Sequence, residues 1–352
     1  MKEKKYCGVV VPMVTPVTPD GRLDKGAVER IIAFFAQAKV SPLLMGTTGE
    51  GNSVSREDGL LLVETAVKAR NQWSMVNGQW SMTIYAGLTG NCFSEQIAQA
   101  EAYTKAGADV IVATLPTYYA LTPEQMENYY RLLADHLASL TKPQSLEASP
   151  TKPQSLEASP TTVPLMLNNI WATTHMSIPV DVIRRLADHP NIVGLKDSER
   201  DLERMAQCID IARGREDFAY FCGWAAQSAH SLEMGGDGIV PSTGNFEPEL
   251  YRKLYDAAIA GDVEKAQNLQ AMTNDLGRIY QADRTLGQSL AALKILMGTK
   301  NLCEPWMLPP LTRLPDKEEE RVRRNYRTLI LRKKTEILIE IKAELKALAG
   351  EE

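Results

Sequence analysis

Lys196 closes the stretch Asn191-Ile192-Val193-Gly194-Leu195-Lys196, in which a cation follows a short apolar run. The length of that run and its Ile, Val and Leu predict a buried strand with the ammonium at its carboxyl end. Parallel α/β folds keep their chemistry at that end. Desolvation disfavours a charged amine and lowers its pKa from about 10.4 toward neutrality, and a neutral amine attacks carbonyls to form Schiff bases. The alternative is an ordinary lysine reaching out of a strand end into water. Two other segments carry chemistry of their own. Gly46-Thr47-Thr48-Gly49-Glu50-Gly51 is either a simple strand-to-helix turn or one whose hydroxyls and N–H groups converge on a carboxylate. Pro116-Thr117-Tyr118-Tyr119 supplies two phenols, for packing or for proton transfer. Asp197 and Glu199 flank the lysine and read as caps of a following helix. His136, His175, His189 and His230 show no metal-ligand spacing, and neither a dinucleotide fingerprint nor a phosphate loop follows the first apolar run, so neither a metal nor a cofactor is expected.

Elements to position these residues recur along the chain. Strand-like runs lie at Gly8 to Val14, Leu43 to Gly46, Thr83 to Gly87, Asp109 to Ala113, Val163 to Asn168, Ile192 to Lys196, Ala219 to Gly223 and Gly238 to Val240. Amphipathic stretches alternate with them, among them Asp24 to Ala38, Arg56 to Ala69, Ser94 to Ala106, Pro123 to Leu140, Pro179 to Ala187 and Asp201 to Ala212. Eight βα units in about 250 residues predict an α/β fold, a (β/α)8 TIM barrel over residues 1–260. A C-terminal helical region is expected over 261–328, beginning near Val263, and an extra helical tail over 329–352. The tail places Ile337, Ile341, Leu345 and Leu348 on one face, for packing on its own subunit, for contact with another, or as a designed or fused extension.

Two tandem duplications interrupt the pattern: Gln72-Trp73-Ser74-Met75 recurs at Gln79-Trp80-Ser81-Met82, and Thr141 to Pro150 recurs at Thr151 to Pro160. Both are expected to be mobile surface loops, the tryptophans excepted, between a helix and the next strand on the stability face of the barrel. Doubling a flexible loop costs about 0.6 kcal/mol of closure entropy, so the fold survives them. The 352 residues are 44% apolar with a net charge of −5, which argues against nucleic acid or anionic membrane as the partner. No apolar run approaches the roughly 20 residues that cross a bilayer, and the start lacks an apolar signal core; a soluble cytoplasmic protein is expected. Cys7, Cys92, Cys208, Cys222 and Cys303 are scattered singly, the pattern of small buried side chains and not of a disulfide framework or zinc site.

Taken together, Gly-Thr-Thr-Gly-Glu after strand two, Tyr-Tyr after strand four, Val163-Pro164-Leu165-Met166-Leu167, and Gly-Leu-Lys-Asp at strand six resemble the dihydrodipicolinate synthase and N-acetylneuraminate lyase family. The resemblance runs from about Gly8 to about Tyr326, with Gly235-Gly236-Asp237-Gly238 in step with it. It implies a class I aldolase-type barrel in which Lys196 forms a Schiff base with pyruvate or another 2-oxo acid and Thr47 and Thr48 hold the acid's carboxylate. Tyr119 matches the tyrosine that reaches into a neighbouring subunit's site, which implies a homo-oligomer, a tetramer or dimer. Gly223, Trp224, Val240 and Thr173 fall at substrate-binding positions.

The chain also departs from that pattern. The family's strand five ends in Tyr-Asn-x-Pro; here Asn168 stands at the tyrosine, Asn169 follows, and Trp171 replaces the proline. An amide has no proton to exchange near neutral pH, and acid–base help of the lost kind is worth about 10² to 10⁴ in rate. Water held by Asn168, or Tyr119 with the substrate carboxylate, would have to supply the relay. Thr173 stands where synthases carry an arginine for the second carboxylate, which speaks against dihydrodipicolinate synthesis. Trp224, Ala225 and Ala226 follow Gly223 where sugar-acid lyases place acids, which speaks against sialic acid. With Trp171 and Trp224 at the mouth, the site resembles that of hydratase-aldolases of arylidene-pyruvate substrates. Two readings follow: a Schiff-base lyase or aldolase joining or cleaving a 2-oxo acid and an aldehyde, or a weakened member that binds a 2-oxo acid or serves as a scaffold.

Overall fold

The computed structural model describes residues 4–77, 80–140 and 162–349. Eight parallel strands close into a barrel: β1 (Gly8–Pro12), β2 (Ser41–Leu44), β3 (Tyr85–Leu88), β4 (Val110–Thr114), β5 (Leu165–Asn169), β6 (Ile192–Asp197), β7 (Ala219–Cys222) and β8 (Gly238–Ile239). Each strand pairs with the next, and β8 pairs with β1. The helices between them are α1 (Lys25–Gln37), α2 (Arg56–Asn77), α3 (Phe93–Lys105), α4 (Pro123–Ser139), the short α5 (Trp171–Thr174), α6 (Val180–Ala187), α7 (Leu202–Arg213), α8 (Ser228–Glu233) and α9 (Pro248–Ile259). Three more follow: α10 (Val263–Gln281), α11 (Leu286–Gly298) and α12 (Asp316–Ala349). The expected (β/α)8 barrel with C-terminal helices is the observed fold.

Local chemistry explains why the helices start where they do. Asp24 accepts from the Ala27 N–H at the head of α1, and Thr122 and Thr285 form reciprocal capping boxes with Gln125 and Gln288 at α4 and α11. α1 buries Ala27, Val28, Ile31, Ile32 and Phe35, a stripe at helical spacing. Inside the barrel, Val10, Leu43, Tyr85, Val110, Val112, Met166, Val193 and Phe221 form a packed core, and a larger core lies between strands and helices.

The pairing of β5 with β6 contains an irregularity that decides where Lys196 points. Leu165 opposes Ile192, but Met166 opposes Gly194, so Val193 is an extra residue. Side chains alternate along a strand, and Ile192 packs outside the barrel while Val193 packs inside. Without the bulge the alternation would turn Leu195 inward and Lys196 outward. The extra residue resets it: Leu195 lies in the outer core opposite Leu167, and Lys196 comes level with Asn168 and Phe221, facing in.

Three expectations need correction. Gln72 to Met75 do not belong to a loop, because α2 continues through them to Asn77. Trp73 and Trp80, equivalent positions of the duplication, meet edge to face at 6.5 Å and pack against the core. Burying two large rings outweighs the entropy of a free segment. The second duplication, Thr141 to Pro160, lies outside the described residues. No break separates a tail at residue 329, since α12 is continuous from Asp316; it docks through the buried Val322 and through Tyr326, whose hydroxyl donates to Glu247 Oε1 at 2.7 Å. The side chains of Ile337, Ile341, Leu345 and Leu348 lie outside the described ones. Of the cysteines, Cys208, Cys222 and Cys303 are buried, but Cys7 is half-buried and Cys92 exposed at the head of α3. Among the described residues no helix is long and apolar enough to cross a membrane.

Candidate active site

Lys196 is buried at the inner carboxyl end of β6, and its amine has no hydrogen-bond or ion-pair partner among the described residues. Burial pulls its pKa down from the ordinary 10.5 to about 8, against a smaller upward pull from Asp197. Asp197 cannot cancel the amine's isolation because the pleat sends it to the opposite side of the strand. There it accepts from Arg204 Nε at 2.7 Å, Asn169 Nδ2 at 2.9 Å and the Glu199 N–H at 3.0 Å. Glu199 also accepts from Asn169 Nδ2 at 2.8 Å and lies 3.3 Å from Arg204 Nε. The cap of α7 is instead Asp201, which accepts from the Arg204 N–H at 3.0 Å, so the reading of Asp197 and Glu199 as caps is corrected. The two acids clamp β5, β6 and α7 behind the lysine.

The turn after β2 is bent by necessity. Met45 and Glu50 adopt left-handed φ values of 51° and 55°, and a Cβ on Gly51 would lie 2.0 Å from the Met45 carbonyl oxygen. The Gly49, Glu50 and Gly51 N–H groups are spent within the turn, on the carbonyls of Gly46 and Thr47. The N–H and hydroxyl groups of Thr47 and Thr48 donate to nothing among the described residues. Glu50 points the other way. Its carboxylate lies 2.5 Å from Lys294 Nζ and accepts from the Leu308 N–H at 2.8 Å, while Lys294 also donates to the Trp306 carbonyl at 2.7 Å. Both charged side chains are fully buried. Sequence reasoning missed this pair, although Lys294 is the lone charge in the apolar stretch Leu290 to Met297.

A cavity of about 330 Å³ opens beside the turn. Thr47, Thr114 and Thr173 line it on the barrel side, and Leu286, Leu290 and Leu311 of the C-terminal region face them. Asn168, level with Lys196 on the neighbouring strand, donates through Nδ2 to Thr114 Oγ1 at 2.7 Å, and its Oδ1 is buried without a partner. Gly223 hydrogen-bonds to the Asp197 carbonyl at 2.6 Å, in a space so tight that a Cβ would lie 2.2 Å from Ser198 Oγ. Val240 packs in the barrel interior.

The expected site residues thus fall into two groups. Lys196, Asn168 and Val240 face the barrel interior, and Thr47 and Thr173 line the cavity beside the β2 turn. Tyr119, Trp171 and Trp224 do not join them in the interior. Tyr118 and Tyr119 are 78% and 72% exposed, stacked edge to face at 4.9 Å. Their loop is fixed by Asn91 Oδ1, which accepts from the Thr117 and Tyr118 N–H groups at 2.7 and 2.9 Å. Trp171 is more than half exposed and meets His175 edge to face, and Trp224 is half-buried against the outer core. Among the described residues, no cluster of His, Cys, Asp or Glu is arranged to hold a metal ion.

The chain has relatives among known proteins. The model of the dihydrodipicolinate synthetase family matches residues 5–142 and 156–328. A 4-hydroxy-tetrahydrodipicolinate synthase of Laribacter hongkongensis is 30% identical over 275 residues, 76% of this chain and 82% of that protein. A probable 2-dehydro-3-deoxy-D-pentonate aldolase, YjhH of Escherichia coli, is 27% identical over 324 residues, 91% of this chain and 96% of its own length. Among solved structures, YagE, a prophage protein of the dihydrodipicolinic acid synthase family from Escherichia coli K12 in complex with pyruvate, superimposes with a TM-score of 0.79 over 93% of this chain and 99% of that one at 24% identity. With a matched region that spans β1 through the first turns of α12, and a barrel whose sixth strand delivers a buried lysine, the chain belongs to the dihydrodipicolinate synthetase family.

Proposed function

We propose that the protein is a Schiff-base-forming lyase or aldolase that captures pyruvate or another 2-oxo acid on Lys196 and cleaves or makes a carbon–carbon bond to an aldehyde. The observation that carries this is the buried, unpartnered amine at the end of β6. With a pKa of about 8, about one amine in ten is neutral and nucleophilic at pH 7. Thr47 and Thr48, with donors unspent beside the cavity, hold the acid's carboxylate. Thr173, which lines the cavity, shapes the space for the second substrate and brings no positive charge for a second carboxylate. Tyr118 and Tyr119 are too exposed to serve their own subunit's lysine; they support a homo-oligomer in which Tyr119 completes a neighbour's relay. The five free cysteines fit a reducing compartment such as the cytoplasm.

Asn168 favours one second reading, a weakened member that binds a 2-oxo acid or acts as a scaffold without turnover. Borohydride reduction in the presence of pyruvate separates these outcomes. An N-(1-carboxyethyl) adduct on Lys196, located by peptide mass spectrometry, supports capture, and an unmodified lysine removes the proposal. Capture without cleavage or condensation across a panel of aldehydes supports the second reading.

A further inference from the structure

Strands β4, β5 and β6 bring Thr114, Asn168 and Lys196 to one level of the barrel interior, in register with one another. Their hydrogen bonding is lopsided. The Thr114 hydroxyl oxygen accepts from Asn168 Nδ2 at 2.7 Å, and this is the hydroxyl's sole hydrogen bond among the described residues. Its own proton has no acceptor among the described residues, and the residue borders the cavity that also reaches Thr47. Asn168 Oδ1 is a buried acceptor without a donor, and the amine in register with it is a donor without an acceptor. Buried polar groups are ordinarily paired, so the orphaned Asn168 Oδ1, level with Lys196 at the end of the barrel, points to a ligand that completes it.

Resting on the reading that Lys196 captures a 2-oxo acid, we propose that the Thr114 hydroxyl is a catalytic proton shuttle for carbinolamine formation and that Asn168 is the residue that positions it. When the neutral amine attacks the ketone carbon, the N–C bond forms and the carbonyl π pair moves onto oxygen. The nitrogen then carries one proton too many and the oxygen one too few. Thr114 accepts the nitrogen's proton on its free lone pair while passing its own hydroxyl proton to the oxygen, and ends the step as it began. An amide cannot make this exchange, but a hydroxyl that accepts and donates at once can. The Asn168 amide fixes the hydroxyl oxygen so that the O–H is aimed into the cavity. Its orphan Oδ1 receives the N–H that stays on the lysine nitrogen.

Timed borohydride trapping with pyruvate tests this on the full chain. Thr114→Val keeps the branched shape and removes the hydroxyl; it is expected to slow adduct formation on Lys196 by about 10²-fold with the half-saturating pyruvate concentration unchanged. Thr114→Ser is expected to restore the rate to within a few fold, a rescue that a packing role for Thr114 does not produce. Thr114→Ala serves the same comparison if the valine chain does not fold. Asn168→Leu is expected to slow trapping like Thr114→Val, again with the pyruvate dependence unchanged. Trapping of the valine or alanine chain at the wild-type rate overturns the shuttle while leaving capture on Lys196 intact. No adduct on the wild-type chain brings down both.

Discussion

Replacing Lys196 with methionine should make the protein more stable, and the gain should depend on pH in a way that identifies its cause. Burial lowers the amine's pKa from 10.5 to about 8, and a tenfold change in proton affinity is worth about 1.4 kcal/mol. Holding the charged lysine in the folded state below pH 8 therefore costs about 3 kcal/mol. The unfolded chain keeps the proton up to about pH 10.5, whereas the folded chain releases it near pH 8. Between those values the unfolded state binds more protons, so wild-type stability rises with pH across that window. Below pH 8 both states are protonated and the penalty is complete. Lys196→Met removes the group without emptying its space. The difference in urea-unfolding free energy between variant and wild type should thus be about 3 kcal/mol at pH 7 and shrink toward zero as pH approaches 10.5. A difference that stays flat with pH, or a variant less stable than wild type at pH 7, would show that the amine is solvated or paired, and the argument for a neutral nucleophile would go with it.

Two further expectations rest on other parts of the structure. Lys294→Met strands the Glu50 carboxylate in a fully buried site and should cost about 3–5 kcal/mol, with the double variant Glu50→Gln/Lys294→Met recovering part of the loss in a denaturation cycle; losses of the two single variants that simply add in the double variant would argue that the pair is not coupled. Replacing Tyr118 and Tyr119 by alanine should leave the monomer's melting curve within about 0.5 kcal/mol, as for other exposed positions, while shifting the chain to smaller species in sedimentation; an unchanged sedimentation profile would argue against the tyrosine loop as an assembly contact.

The barrel was legible because its physics is local and repeated. Strands are short, mainly apolar runs, helices such as α1, α4 and α11 open on a side-chain cap, and eight such units in about 250 residues fit a closed barrel better than an open sheet. The boundaries that went astray are those decided by distant packing. α2 runs on through the duplicated segment to Asn77, and Trp73 just inside its end finds Trp80 beyond it, a contact no window of sequence contains. α12 crosses residue 329 unbroken because Val322 and Tyr326 dock on the barrel.

For the site, the harder matter was direction and not identity. Lys196 was conspicuous as the cation ending an apolar run, yet strict alternation from Ile192, which packs outward, turns it away from the barrel axis. Only the extra residue at Val193 brings it inside, and that bulge is a property of the pairing between β5 and β6. The same holds for Asn168. Read alone it is a lost phenol. Placed level with Lys196 and hydrogen-bonded to Thr114, it becomes the middle of a polar row across three strands, with an acceptor left over beside the amine. What the substitution removed is a group that exchanges protons. What the neighbouring strand supplies is a hydroxyl that lies within reach of the same cavity. Under the proposed shuttle, chemistry survives the loss of the phenol through Thr114, a residue whose type and position gave no signal in the sequence because its partner lies 54 residues away.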